Sequence, residues 1–216
     1  MSPTIQTVID TILHEVTAPL GSAPLSDTVD TFKCGDPSRE VTGIVTTFIA
    51  TCRVIEQAIE LGANLIITHE PTYFNHRDET GWLADDPVYR SKRKLLDDHG
   101  LTVWRFHDHW HLHRPDGILT GFAQTLGWQA YRDPHNEVVF HIPETTLGAL
   151  ASDLKTRLGL PTVRLVGDAA MPCRRVGAIL GSCPGEWQVD LLRKGEAEVV
   201  VCGETVEWQV CEYVRD

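Results

Sequence analysis

The chain has 216 residues, 42% of them hydrophobic and 23% charged, with 30 acids against 19 bases and a net charge of -11. This globular composition excludes a disordered, collagen-like or disulfide-stapled chain. The acidic balance argues against duplex nucleic acid and anionic membrane surfaces, which call for clustered Lys and Arg.

No apolar run reaches the roughly 18 residues of a membrane span. The first residues carry Asp10 and Glu15 and no basic stretch, so they do not read as a signal peptide. Ile5, Ile9, Ile12 and Val16 recur at helical spacing and predict a helix over 4–18. Residues 19–39 are rich in Gly, Pro, Ser and Asp and read as a loop. A buried strand over 41–50, a helix over 53–61 stopped by Gly62, and a strand over 65–68 follow. Their order predicts a parallel β-α-β pair. Asp86 and Pro87 start a helix that runs to His99 before Gly100. The basic run 90–94 reads as its wet face. A strand over 101–106 comes next, then a helix capped by Asp116 and ended by Gly127.

From Glu137 the rhythm changes. Strand 137–142, helix 144–158, strands 162–166 and 175–180, helix 185–194 and strand 197–202 make a β-α-β-β-α-β order, which predicts a ferredoxin-like domain. The fold class expected is α/β: a parallel-containing sheet with flanking helices, residues 1–133, followed by the ferredoxin-like domain, residues 134–216. Pro134 marks the boundary. Residues 204–216 read as half of an amphipathic helix.

Two strand ends carry the chemistry. Strand 65–68 runs into His69-Glu70-Pro71, and strand 101–106 into His107-Asp108-His109-Trp110-His111, with His113 close behind. Ligands of open α/β sheets sit beyond the carboxyl ends of the strands. Adjacent strands lie about 4.8 Å apart, so neighbouring strands would aim both clusters at one crevice. Imidazole and carboxylate suit Zn²⁺, Fe²⁺ or Mn²⁺. On a locally extended chain His107, His109 and His111 share one side, and Asp108 faces the other as a partner that fixes a His tautomer. His76 and Asp78 lie in a loop and form a weaker candidate pair. His14, His99, His135 and His141 read as structural or exposed.

The six cysteines show no C-x-x-C pair, which fits reduced thiols in the cytoplasm and no Cys metal site. The turn 181–185 (GSCPG) reads either as an anion-binding helix start or as a tight strand-to-helix turn. Glu204 reads as a general base, a carboxylate behind the site, or a first-turn acid of the last helix. The Trp residues are expected in the core or an interface, with Trp110 walling the site. No motif for serine hydrolysis, dinucleotide binding or a helical zinc protease site is present.

These residues resemble the Nif-three-like family of dinuclear-metal proteins, also labelled GTP cyclohydrolase 1 type 2 homologues. The likeness runs through 47–71 (TFIATCRVIEQAIELGANLIITHEP), 103–111 (VWRFHDHWH), 181–185 (GSCPG) and 201–204 (VCGE). The resemblance implies two divalent ions per chain (Zn, Fe or Mn), held by His69, Glu70, His107 and His111. Glu70 stands where typical members have a second His, and His111 where they have an Asp, so the carboxylate count is kept. Typical members also carry a late His and Glu in a Gly-His-x-x-x-Glu arrangement, a segment that this sequence ends before. The resemblance further implies a homo-oligomer, a hexamer of three dimers, in the cytoplasm. It implies metal-dependent hydrolysis of a small, nucleotide-like substrate, with Glu204 or Asp108 relaying a proton. The rival reading is a non-catalytic metal-binding or regulatory protein with a protein partner.

Overall fold

The computed structural model describes residues 2–216. The chain forms two compact units that divide between Arg114 and Pro115. The first contains α1 (Ile5–Thr17), β1 (Phe32–Cys34), β2 (Ile44–Thr47), α2 (Cys52–Glu60), β3 (Leu65–Thr68), α3 (Pro87–Asp98), β4 (Thr102–Arg105) and α4 (Asp108–Leu112). The second contains α5 (Gly117–Leu126), β5 (Val139–Thr146), α6 (Leu147–Arg157), β6 (Pro172–Ile179), α7 (Gly185–Arg193), β7 (Val199–Cys202) and α8 (Glu212–Arg215). A π-helical turn, Glu207–Cys211, leads into α8.

The helices start where the sequence supplies a cap. The side chains of Thr4, Thr51, Asp86, Asp116 and Thr146 each accept a backbone N–H of the first turn. Gly62, Gly100 and Gly127 take left-handed conformations just past α2, α3 and α5.

The first sheet has the order β1-β4-β3-β2. β2, β3 and β4 are parallel, with Ile44 opposite Leu65 and Leu65 opposite Thr102. All four residues of β3 and of β4 are buried, yet alternation still sorts them between two cores. Leu65, Ile67 and Trp104 pack with Ile5 and Ile9 of α1. Ile66 and Val103 pack with Ile55, Ala58 and Leu96 of α2 and α3 on the other face.

Two strand expectations change here. The run 41–50 is a strand only over β2, at the sheet edge, and Phe48 and Ile49 beyond it are exposed. The apolar run spreads over an edge strand and its exit rather than filling a core. The loop 19–39 contains β1, antiparallel to β4. Gly35 beside it has φ +90°, and a Cβ there would stand 2.5 Å from the Cα of Thr102, so only glycine fits that approach.

In the second unit β5 is antiparallel to β6, and β6 is parallel to β7. Leu119, Phe122 and Leu126 of α5 pack with Trp128, Phe140, Ile142 and Val176. That packing draws α5 into the second unit, so the division falls ahead of the 133/134 boundary read from Pro134. Residues 162–166 form no strand among the described residues. There Arg164 makes two hydrogen bonds to Glu207, at 2.5 and 2.7 Å, and the sheet keeps three strands. Glu198 clips β6 to β7. Its Oε2 accepts the N–H groups of Arg174 and Arg175 at 2.8 and 2.9 Å, and Oε1 lies 3.0 Å from the Arg175 guanidinium. These contacts hold the Glu198 carboxyl below its ordinary range.

Trp104 and Trp128 are buried in the core, whereas Trp82, Trp187 and Trp208 are exposed on this chain. No helix of the described residues is long and apolar enough to cross a membrane.

Candidate metal centre

β3 and β4 are neighbours, so the two His-bearing strand ends come together. The ladder closes with the Phe106 N–H donating to the Thr68 carbonyl at 2.9 Å. His69 leaves β3 immediately afterwards. Its Nδ1 lies 3.2 Å from the Phe106 carbonyl. A carbonyl only accepts, so Nδ1 carries the proton and Nε2 keeps its lone pair for a ligand bond. Burial, then the neighbouring His107 and His111, push the His69 pKa down, which keeps the ring neutral at pH 7. Phe48 stacks on the ring, with centroids 5.5 Å apart and planes at 18°.

Beyond β4 the chain turns into the short helix α4, not an extended segment. The Asp30 carboxylate imposes the turn. It accepts the N–H groups of His107 at 2.6 Å, Asp108 at 2.9 Å and His109 at 2.8 Å. These are among the donors a helix start leaves without partners. The helix changes which imidazoles face together. His107 and His111 are four apart and share a face, with ring centroids 4.9 Å apart. Their rings lie 4.6 and 5.3 Å from that of His69.

His109 therefore does not share their side, as alternation predicted. It is 1% exposed. Its Nδ1 meets Asp30 at 2.7 Å, and its Nε2 accepts the Leu25 N–H at 3.0 Å. Both nitrogens are engaged, so this ring fastens α4 to the 25–30 segment.

Asp108 lies beside His107, its Oδ1 2.9 Å from Nδ1. Its Oδ2 accepts the Thr28 hydroxyl at 2.9 Å and the Val29 N–H at 3.0 Å. Burial works against its charge, but the Val29 N–H, the His107 ring and the Thr28 hydroxyl hold its carboxyl at about 2. A carboxylate this acidic and this engaged orients a ring; it is a poor proton acceptor near neutral pH. With Nδ1 committed to Asp108, His107 is left with Nε2 for a ligand bond.

Two groups of possible metal ligands result, and His107 belongs to both. His69, His107 and His111 offer one ligand atom each, all within 4.8 Å of one another; His76, His107 and Asp108 do the same. The first set fits a divalent cation: three half-buried imidazoles, with the Nδ1 of His69 and the Nδ1 of His107 each hydrogen-bonded. The second set is more exposed, and His76 Nδ1 lies 3.4 Å from the Arg105 guanidinium. Glu70 is in neither group; its Oε2 lies 3.8 Å from Arg105. Glu204 is in the second unit. It is exposed, its N–H donates to Gly181 and its carbonyl accepts from Gln188. It precedes the π-helical turn, whose first turn holds Glu207 instead. The 181–185 segment is a tight turn: Gly181 has φ +80°, and a Cβ on Gly203 would lie 2.9 Å from the Gly181 nitrogen.

Sequence reading missed Asp30 and Arg105. Asp30 is one of several acids in a turn-rich stretch, and nothing local sets it apart. Arg105 sits within an otherwise apolar strand (TVWR), and a charge inside a buried run was the available signal.

Fold and site together define an α/β protein with a histidine group that could hold a cation at the carboxyl ends of parallel strands. The chain belongs to the Duf34/NIF3 (NGG1p interacting factor 3) family, whose model matches residues 13–215. A Clostridium perfringens protein named GTP cyclohydrolase 1 type 2 homolog is 24% identical over 193 residues, covering 83% of this chain and 70% of that one. The crystal structure of a Bacillus cereus protein related to NIF3 matches with a TM-score of 0.78 at 15% identity, covering 99% and 85% of the two chains. Staphylococcus aureus protein SA1388 matches at 0.71 with 21% identity, covering 99% and 83%.

Proposed function

We propose that this protein is a metal-dependent hydrolase acting on a small, nucleotide-like substrate. The observation that carries the reading is the convergence of His69, His107 and His111 at two neighbouring strand ends. His69, His107 and His111 would hold one divalent cation (Zn, Fe or Mn), and His76, His107 and Asp108 form the other group that could hold one. A bound cation supplies Lewis-acid polarisation of a substrate oxygen and lowers the pKa of an attacking water.

The chain's own residues do the rest. The Phe106 carbonyl and the Asp108 carboxylate fix the tautomers of His69 and His107. Asp30 holds α4 so that His107 and His111 face His69. Asp108 acts as a positioning residue, which leaves Glu204 as the proposed proton relay. Glu70, read from the sequence as a ligand, lies outside both groups, and its Oε2 is 3.8 Å from Arg105. The name of the Clostridium relative supports a purine nucleotide as the first substrate to try. A homo-hexamer in the cytoplasm belongs to the same reading and rests on family likeness; light scattering on the purified protein tests the hexamer.

The test is a panel of nucleotides and phosphoesters assayed on metal-loaded and chelator-stripped protein. Turnover that needs the metal and falls in His69→Ala and Glu204→Gln carries the proposal. Tight metal with no turnover across the panel overturns it in favour of a binding or regulatory protein, the role to which the engaged, strongly acidic Asp108 lends weight.

A further inference from the structure

Arg105 closes β4 and is 0% exposed. It lies opposite Thr68 in the parallel ladder, one residue before His69 on one strand and two before His107 on its own. The register of β3 with β4 ends there, and the Phe106 N–H still donates to the Thr68 carbonyl at 2.9 Å just ahead of the imidazoles. Three arms of the guanidinium reach from β4 to the residues that follow β3. Nε donates to the His69 carbonyl at 2.9 Å, Nη1 donates to the His76 carbonyl, and Nη2 lies 3.4 Å from His76 Nδ1.

The His76 loop is itself tightly built. Asp78, at φ +54°, accepts the N–H groups of Thr72, Tyr73 and Phe74 at 2.9, 2.8 and 3.0 Å. Lys92 donates to the Thr72 carbonyl, and Lys33 lies 3.9 Å from Asp78. One buried cation thus ties a closed loop and both ligand-bearing strand ends together. Burial opposes its charge, and Glu70, Asp78, Asp108 and Asp30 counter that. A planar fork with several donors can serve two carbonyls at once; an ammonium on a flexible stem cannot hold the same geometry.

We propose that Arg105 is the positioning residue of the metal centre, setting the spacing between His69 and the α4 imidazoles by tying the His69 and His76 carbonyls to β4. The inference rests on the metal-binding reading above. It goes further in assigning ligand spacing to a residue outside both groups of possible ligands.

The experiment titrates Zn²⁺ by chelator competition and Co²⁺ by its absorption bands, on full-length wild type, Arg105→Lys and Arg105→Met. Circular dichroism confirms folding first. Positioning predicts that both variants fold, bind Zn²⁺ at least about tenfold more weakly and change the Co²⁺ bands, which report ligand geometry. Lysine should fail to rescue. Wild-type affinity and bands in either variant would overturn the proposal. Tighter Zn²⁺ binding by Arg105→Met would also overturn it, since the charge and not the fork would then govern the site. Should the variants unfold, wild type decides: the Arg105 Nε–H resonance should move on adding Zn²⁺, and an unmoved resonance counts against the idea. Wild type that takes up no metal sinks the metal reading itself, an outcome separate from the others.

Discussion

The Oδ2 of Asp30 takes both the backbone N–H and the ring Nδ1 of His109, at 2.8 and 2.7 Å, across 79 residues of sequence. One carboxylate oxygen therefore sets where α4 begins and which of its imidazoles turns inward. His109 is turned inward by this contact and by the Leu25 N–H, while His107 and His111 face His69.

Asp30→Ala should be among the most damaging substitutions in the first unit. It leaves three backbone N–H groups and a ring nitrogen without their acceptor. A loss of about 3–5 kcal/mol in urea unfolding is expected. Zn²⁺ affinity should fall with it. A loss below about 1 kcal/mol would mean that α4 is held by something else.

His69→Ala, His107→Ala and His111→Ala should each weaken Zn²⁺ binding by about two orders of magnitude or more, since each removes a direct ligand. Glu70→Ala should weaken it by less, because its carboxylate faces Arg105 at 3.8 Å. Equal losses at Glu70 and His111, measured by isothermal titration, would restore Glu70 to the ligand set.

Asp108→Asn keeps the size of the side chain and removes its charge. The His107 ring then loses its anionic partner, and Zn²⁺ affinity should drop roughly 10–100-fold. The fold should survive. Full affinity in this variant would show that His107 needs no orienting carboxylate.

Glu198 makes a pH-dependent contribution in the second unit. Its carboxyl is depressed by the Arg174 and Arg175 N–H groups. The stability it adds is present above its unfolded pKa and disappears as pH falls through the folded one. Glu198→Gln should therefore be less stable than wild type by about 1 kcal/mol at pH 7, and the gap should close on acidification. A gap that persists unchanged at pH 3 would refute the assignment.

Much of the first unit was legible because its signals are local. Asp86 caps α3, Gly62 and Gly100 end α2 and α3, and the β-α-β order makes β3 and β4 neighbours. That adjacency brought His69 and His107 together on paper. Longer-range features were not legible. The α4 turn depends on Asp30, and without that contact the alternating histidines read as extended. β1 is three residues long in a turn-rich stretch, and its pairing with β4 comes from a glycine packed on Thr102. Residues 162–166 carry a strand-like alternation, but Arg164 spends its guanidinium on Glu207 and no strand edge pairs the segment.

α4 has five residues, too few to persist as an isolated helix, and its cap is borrowed from a part of the chain made long before it. On the ribosome, the histidines of strand 65–68 and of 107–111 emerge without a shape to offer. They become a ligand set only when the 25–30 segment has been folded back against them. Bringing the three imidazoles together thus depends on a contact between Asp30 and residues 107–109, far apart in sequence, and not on the histidine segments alone.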